Sequence, residues 1–152
     1  MERQEFEDTF DILAKELLDE LPILGMPTEA AEWVRKCLYH TVPGGKMNRG
    51  LSVVDTLRIL RGDNAIAPEE LHKARVLGWC VEWLQAFFLV ADDIMDSSKT
   101  RRGMPCWYRM EGVGTIAIND AFILESCIYR LLKKYFRQDA YYVELLDLFH
   151  EV

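Results

Sequence analysis

Three aspartates, Asp92, Asp93 and Asp96, stand within five positions of the sequence. In a helix, Asp92 and Asp96 would lie on one face about one turn apart, where like charges destabilise the helix by about 0.2–0.5 kcal/mol. Carboxylates without histidine or cysteine companions select a hard divalent ion, and Mg2+ takes one or two of them together with phosphate oxygens. The spacing therefore predicts a magnesium site, with a solvated acidic helix end as the alternative.

Two adjacent arginines, Arg101 and Arg102, follow the aspartates closely. Guanidinium groups match phosphate oxygens with paired hydrogen bonds, whereas they would not help to bind a bare metal ion. Acidic metal ligands beside such bases favour a metal-bridged phosphate ester. A second stretch, "GGKMNRG", places Lys46 and Arg49 among backbone amides, which suits another anionic group. A flexible basic loop is the commoner explanation of an isolated G-G-K, so that alternative stays open.

Length and composition are those of one globular domain. The chain has 152 residues, of which half are hydrophobic and 28% are charged, and this composition is not that of a disordered protein. Its formal net charge of -7 argues against nucleic acid as a partner. No H-E-x-x-H motif and no serine or cysteine beside a histidine indicates nucleophilic catalysis.

Nothing in the sequence predicts export, a membrane span or a disulfide framework. The amino terminus, "MERQEFEDTF", is acidic where a signal peptide would be basic and then apolar. The longest apolar stretch, "LQAFFLVA", is interrupted by Gln85 and is far shorter than the ~20 residues of a membrane helix. The four cysteines are widely separated, which favours buried, reduced thiols over zinc ligands. We therefore expect a cytoplasmic protein.

Apolar residues recur at three- and four-residue intervals nearly everywhere, which predicts an all-α fold of about six helices. The predicted helices are a first one ending at Pro22, a second capped by Thr28 and ending near His40, a third from Asn48 to Gly62, a fourth of near 28 residues opening at Pro68, and two in "GTIAINDAFILESCIYRLLKKYF" and "DAYYVELLDLFHEV". We predict no strand, and we predict that "SSKTRRGMPCW" is a loop.

Two features do not fit a self-contained bundle. The long fourth helix is apolar on most of its circumference over residues 76–91, which suits the centre of something larger than its five companions can enclose. The helical pattern is also still running at "LFHEV", with no glycine or proline to end it. We therefore expect residues 1–152 to form part of one larger helical domain.

Taken together, these motifs resemble the amino-terminal half of the farnesyl diphosphate synthases, which are short-chain trans-prenyltransferases. "GGKMNRG" looks like the isopentenyl diphosphate loop of that family, with Met47 where leucine usually stands, and "LGWCVEWLQAFFLVADDIMDSSKTRRGMPCWYR" looks like the first aspartate-rich motif and its surroundings. "INDAFILESCIYRLLKKYF" and "LFHEV" continue the similarity. D-D-x-x-D alone is shared with terpene cyclases, but its combination with R-R-G, Q-A-F-F and G-G-K is specific.

The resemblance implies the isoprenoid synthase helical bundle, with the fourth helix central, and a role for each motif residue. The implied reaction is the Mg2+-dependent, head-to-tail condensation of isopentenyl diphosphate with dimethylallyl or geranyl diphosphate. By resemblance, the residues divide into Mg2+ ligands (Asp92, Asp96), a supporting aspartate (Asp93), a grip on the allylic diphosphate (Arg101), an isopentenyl diphosphate site (Gly45, Lys46, Arg49, Gln85, Arg102) and a floor that limits chain length (Phe87, Phe88). Core packing is the alternative role of the two phenylalanines.

Members of the resembled family continue through a second aspartate-rich motif that faces the first across the cavity. Without that wall a carbocation would meet water, so we expect no turnover by this chain alone. One alternative is a non-catalytic protein that forms a homodimer, or a heterodimer with a full-length synthase, through residues 115–152. Another is a separate magnesium-binding module, but it would leave the arginines and the glycine loop unexplained.

Overall fold

Six α-helices follow one another along the chain, which confirms the predicted all-α class. The structure is a computed structural model that describes residues 2–151. The helices are α1 (Glu2–Glu20), α2 (Thr28–Thr41), α3 (Asn48–Arg61), α4 (Pro68–Met95), α5 (Ile116–Phe136) and α6 (Tyr142–His150). Between α4 and α5 lie two short strands, β1 (Thr100–Arg101) and β2 (Met104–Pro105), and a 3-10 helix (Trp107–Arg109).

The 28-residue α4 is the central helix, packed mainly against α3 and α5. Its two tryptophans, Trp79 and Trp83, are fully buried. The ring of Phe6 stacks on Trp79 with 4.7 Å between centroids, and Trp79 Nε1 donates to the Phe6 carbonyl oxygen at 2.6 Å. Phe10 packs against both tryptophans, so α1 lies directly over α4. This aromatic cluster fixes the middle of the helix that carries the aspartates at its end.

Helices α3 and α4 cross with their backbones in contact at Gly50 and Gly78. A Cβ atom added to Gly78 would lie 2.5 Å from the Gly50 carbonyl oxygen, and one added to Gly50 would lie 2.5 Å from the Phe6 ring. Glu82, 3% exposed, accepts a hydrogen bond from the Gly50 amide at 2.7 Å. The bond compensates part of the cost of burying a carboxylate. The crossing therefore fixes the start of α3 against one level of α4.

Two local predictions are wrong. Thr28 does not cap α2, because it is already the first helical residue, and the extended Pro27 holds the cap position without a side-chain hydrogen bond. The segment predicted as loop contains a β-hairpin in which Thr100 pairs with Pro105 and Arg101 with Met104. Its turn residues, Arg102 (φ +55°) and Gly103 (φ +78°), both have the positive φ that matches the twist of a two-residue hairpin.

By length and composition alone, α4 could also span a bilayer, with a mean hydropathy of 1.3 over its most apolar stretch. Half of that stretch is buried within the fold, as in the core helix of a soluble protein. The buried Glu82 also lies on this helix, and a carboxylate is costly at the centre of a membrane. Helix α4 is therefore the core helix of this fold.

We expect Gly78→Ala to lower the free energy of unfolding by about 1–3 kcal/mol, the usual cost of overpacking. Without the contact to α3, alanine would stabilise the helix relative to glycine by up to about 1 kcal/mol. A decrease in the free energy of unfolding would therefore report the close contact between the helices. Urea titration followed by circular dichroism measures it. Ser52→Ala, on the exposed side of α3, is the control and should change stability little. A Gly78→Ala protein as stable as the wild type would show that this close contact is unnecessary.

Candidate functional site

The three aspartates at the end of α4 point in two directions. The Asp96 amide donates to the Asp92 carbonyl oxygen at 2.8 Å, so helical spacing extends to Asp96 and the two side chains share one face. Asp92 is half-exposed and Asp96 is exposed, whereas Asp93 is 3% exposed. Carboxylates at this negative end of the helix dipole are unfavourable without a cation nearby.

Asp93 is satisfied internally by Arg101. Arg101 Nε donates to Asp93 Oδ2 at 2.9 Å and Nη2 donates to Oδ1 at 2.7 Å, which is a bidentate pair. Burial alone would raise the pKa of Asp93, but hydrogen bonds from Arg101, Cys106 and Ser98 outweigh it and hold the pKa below its usual value. Arg101 Nη2 also lies 3.7 Å from Asp92 Oδ2. The guanidinium is therefore oriented by Asp93 and lies beside the half-exposed Asp92.

Arg102 reaches from the hairpin turn to the glycine-rich loop before α3. Its Nη1 donates to the Pro43 carbonyl oxygen at 2.6 Å and to the Thr41 carbonyl oxygen at 3.3 Å. A Cβ atom added to Gly45 would lie 3.1 Å from the Arg102 Cζ atom. Glycine at this position therefore allows the guanidinium to approach the loop backbone.

The first turn of α3, directly after this loop, meets α4 through Arg49. Its Nη1 donates to the Gln85 side-chain oxygen at 3.1 Å. Lys46, three residues before Arg49 in the sequence, has an exposed side chain. Two tertiary contacts thus join segments that are far apart in the chain. One is between Gly45 and Arg102, and the other is between Arg49 and Gln85. The loop, the hairpin and α4 are brought together where the resemblance places the isopentenyl diphosphate site.

Phe87 and Phe88 lie about one turn before Asp92, with their ring centroids 4.8 Å apart. Phe87 is partly buried and packs against the core, so core packing explains it. Phe88 is 45% exposed, and core packing does not explain it in this structure. Phe88 thus presents a large part of its ring to solvent about one turn before Asp92.

Several buried polar groups around the site were not predicted from the sequence. Asp120 accepts hydrogen bonds from the indole nitrogens of Trp33 and Trp107, and the Cys106 thiol bonds to Asp93. The sequence signal for Asp120 was an acidic residue between the apolar residues of "INDAF", where Asn119 is the only other polar residue. All four cysteines are free and buried, as predicted.

A metal ion at this site would need ligands from its substrate. Within residues 2–151, no three histidine, cysteine, aspartate or glutamate side chains gather into a metal-binding group. Asp92 and Asp96 alone would offer two carboxylates on one exposed face. Such a donor set fits Mg2+ only when phosphate oxygens and waters complete the octahedron.

Comparison with known proteins shows the same family along nearly the whole chain. A family model described as "Polyprenyl synthetase" matches residues 31–152. Farnesyl pyrophosphate synthases of Kluyveromyces lactis and Candida albicans are 58% and 59% identical over 99% of this chain. These alignments cover 44% and 43% of the two relatives, so the chain spans less than half of their length.

Solved structures of farnesyl diphosphate synthase are also similar to this chain in fold. The crystal structure of T. brucei farnesyl diphosphate synthase is similar with a TM-score of 0.93 and 40% sequence identity, over 99% of this chain and 44% of that one. A complex of the T. brucei synthase with risedronate is similar to the same degree. With a family model that matches more than half of its residues, this chain belongs to the polyprenyl synthetase family.

Proposed function

We propose that this chain provides the diphosphate-binding half of a prenyltransferase of the farnesyl diphosphate synthase type. The proposed reaction joins isopentenyl diphosphate head to tail to dimethylallyl or geranyl diphosphate. The observation that carries the proposal is the position of Arg102, which extends from the hairpin to the backbone around Gly45. Arg101, the preceding residue, faces the aspartates, so the hairpin presents one guanidinium to each of two anion sites.

The proposed allylic site is formed by Asp92, Asp96 and Arg101. The two aspartates would hold Mg2+, which when bound supplies positive charge against the departing diphosphate. Arg101 would donate to the same diphosphate from the part of its guanidinium that Asp93 leaves open, since its side chain is 34% exposed. Asp93 fixes the direction of Arg101 in advance, and such preorganised charge lowers the barrier to forming a leaving anion.

The proposed isopentenyl diphosphate site is formed by the cations Lys46, Arg49 and Arg102, with Gln85 orienting Arg49. Glu82, which lies about one turn before Gln85 on α4, is buried and accepts a hydrogen bond from the Gly50 amide. A diphosphate could therefore bind here through guanidinium and ammonium groups without a metal ion.

The proposed chemistry needs no side-chain nucleophile. The allylic C–O bond breaks, and its electron pair leaves with the diphosphate. The double bond of isopentenyl diphosphate then attacks the allylic cation to form a C–C bond. The tertiary cation that results transfers a proton to the departed diphosphate, which restores a C=C double bond in the product. In this account the residues bind, orient and stabilise charge.

We propose that this chain alone binds diphosphates without completing the reaction. Phe88 and Met95, on the aspartate-bearing half of α4, are exposed to solvent. A carbocation formed beside them would be captured by water.

A second candidate function is regulation of a full-length synthase by association. The observation that favours it is the exposure of apolar side chains on α5 and α6, namely Ile118, Phe122, Val143 and Leu148, which are 49–61% exposed. These residues lie within the predicted dimer segment 115–152, of which Val152 is outside the described residues. Exposed apolar side chains mark a protein contact site where they form a continuous patch.

Asp92→Asn combined with Asp96→Asn should weaken Mg2+-dependent pyrophosphate binding by more than about tenfold, because even outer partners of a metal commonly contribute that much. Isothermal titration calorimetry with pyrophosphate measures the effect, and removal of Mg2+ from the wild type should reproduce it. Asp55→Asn, an exposed aspartate on α3, is the matched control. The magnesium assignment fails if the double variant keeps the full gain in affinity from Mg2+.

Phe88→Ala, introduced into a full-length synthase that carries this half, should lengthen the product. The smaller side chain would leave room for a longer hydrocarbon beyond the aspartates. Mass spectrometry of the extracted products measures chain length. Ile12→Ala, on the exposed side of α1, should leave the distribution unchanged. Products of unaltered length from the Phe88→Ala enzyme would contradict the proposed floor.

Mixing this chain with a full-length synthase should give a mixed dimer in native mass spectrometry if the second candidate function is correct. Phe122→Glu should prevent that dimer, because it places a charge in the apolar contact. Ile12→Glu, at a similarly exposed site on α1, should not prevent it. The association is ruled out if native mass spectrometry detects no mixed dimer and the rate of the full-length synthase does not change.

A further inference from the structure

Asp120 is a buried carboxylate held by two tryptophans. It is 1% exposed, and Trp33 Nε1 donates to its Oδ1 and Oδ2 at 3.0 and 3.1 Å, while Trp107 Nε1 donates to Oδ2 at 2.8 Å. Within residues 2–151 it forms no ion pair with a lysine or arginine. A carboxylate in such surroundings depends on every hydrogen bond it has. We call Trp33, Trp107 and Asp120 the indole clamp.

The indole clamp joins three segments that are distant in sequence. Trp33 belongs to α2, Asp120 to α5, and Trp107 opens the 3-10 helix directly after the hairpin. The two indole rings meet edge to face, with 5.9 Å between centroids. Through Trp107, the segment that carries the two arginines is tied to helices on both sides.

His40 contacts the same segment at Pro105, in the second strand of the hairpin. Its Nε2 lies 2.9 Å from the Pro105 carbonyl oxygen, and because a carbonyl can only accept, Nε2 carries the proton. The His40 ring also packs against Trp107, with 5.2 Å between centroids. Pro105 pairs across the hairpin with Thr100, next to Arg101. A continuous set of contacts therefore runs from Asp120 to the hairpin.

The hairpin has no long strand to make it rigid by itself. Each strand has two residues, and isolated short hairpins are marginally stable in water. Its arginines nevertheless reach two separate partners, Asp93 and the loop at Pro43. For both contacts to be kept, other contacts between this segment and the rest of the fold must fix the position of the hairpin.

We infer that Asp120 is a positioning residue, which through Trp107 fixes the hairpin so that Arg101 and Arg102 face their two anion sites. The inference deepens the proposed function and rests on it for the anions, whereas its structural part concerns the hairpin alone. Asp120 contacts neither arginine in this role, and it acts entirely through the indole and the segment attached to it.

The two arms of the indole clamp provide a matched pair of variants. Trp107→Phe removes the donor that holds the hairpin and keeps an aromatic ring beside His40. Trp33→Phe removes a donor from the same carboxylate but leaves the hairpin tied to Asp120. Each variant leaves Asp120 with one indole, so each should lower the melting temperature, and loss of stability alone cannot distinguish them.

Hydrogen exchange and pyrophosphate titration of the 152-residue chain, both well below the melting temperatures, distinguish them. Trp107→Phe should speed amide exchange in residues 98–110 and weaken Mg2+–pyrophosphate binding by about tenfold, the low end for loss of a partner that orients binding groups. Trp33→Phe should leave both quantities within about twofold of the wild type, because the arm to Trp107 remains.

Two results would overturn the inference. One is unchanged exchange of residues 98–110 in Trp107→Phe, and the other is an equal loss of affinity in both variants. A wild-type chain that does not bind Mg2+–pyrophosphate would instead refute the proposed function. The exchange measurement would in that case still decide whether the indole clamp fixes the hairpin, since it requires no ligand.

Discussion

The contact of α3 with α4 at Gly50 and Gly78 is the constraint on which the site depends. Only two residues without side chains allow the backbones to approach this closely. Glu82 then accepts from the Gly50 amide and fixes which level of α4 faces the start of α3. Arg49, the residue before Gly50, consequently reaches Gln85, one turn beyond Glu82. The position of the basic loop is thus a result of helix packing.

Opposite charges lie close together in this chain without neutralising one another completely. Asp93 is buried and takes two donors of Arg101, which leaves Asp92 and Asp96 exposed on another face of the helix. Arg102 has backbone carbonyl oxygens as partners, so its charge is kept. Separation of this kind leaves an acidic surface and a basic surface a few residues apart, and a metal-bridged diphosphate requires both.

The sequence was sufficient to predict the helices, because their apolar periodicity is strong and proline or glycine marks several boundaries. It was not sufficient to predict the hairpin, because strands of two residues show no alternation of polar and apolar residues. It was also not sufficient to predict the cap of α2, because Pro27 and not Thr28 holds the cap position. The motif residues were identified from the sequence, and their roles in binding stay predictions. The pairing of Asp93 with Arg101, the contact of Gly50 with Gly78 and the indole clamp depend on tertiary packing, which no local pattern encodes.

The most direct test of two separate anion sites is the stoichiometry of pyrophosphate binding to the wild-type chain, measured by calorimetry with Mg2+ and with a chelator. The account predicts one site that persists in the chelator, at Lys46, Arg49 and Arg102, and an additional site that appears only with Mg2+, at Asp92 and Asp96. The same number of sites under both conditions, or no binding under either, would contradict it.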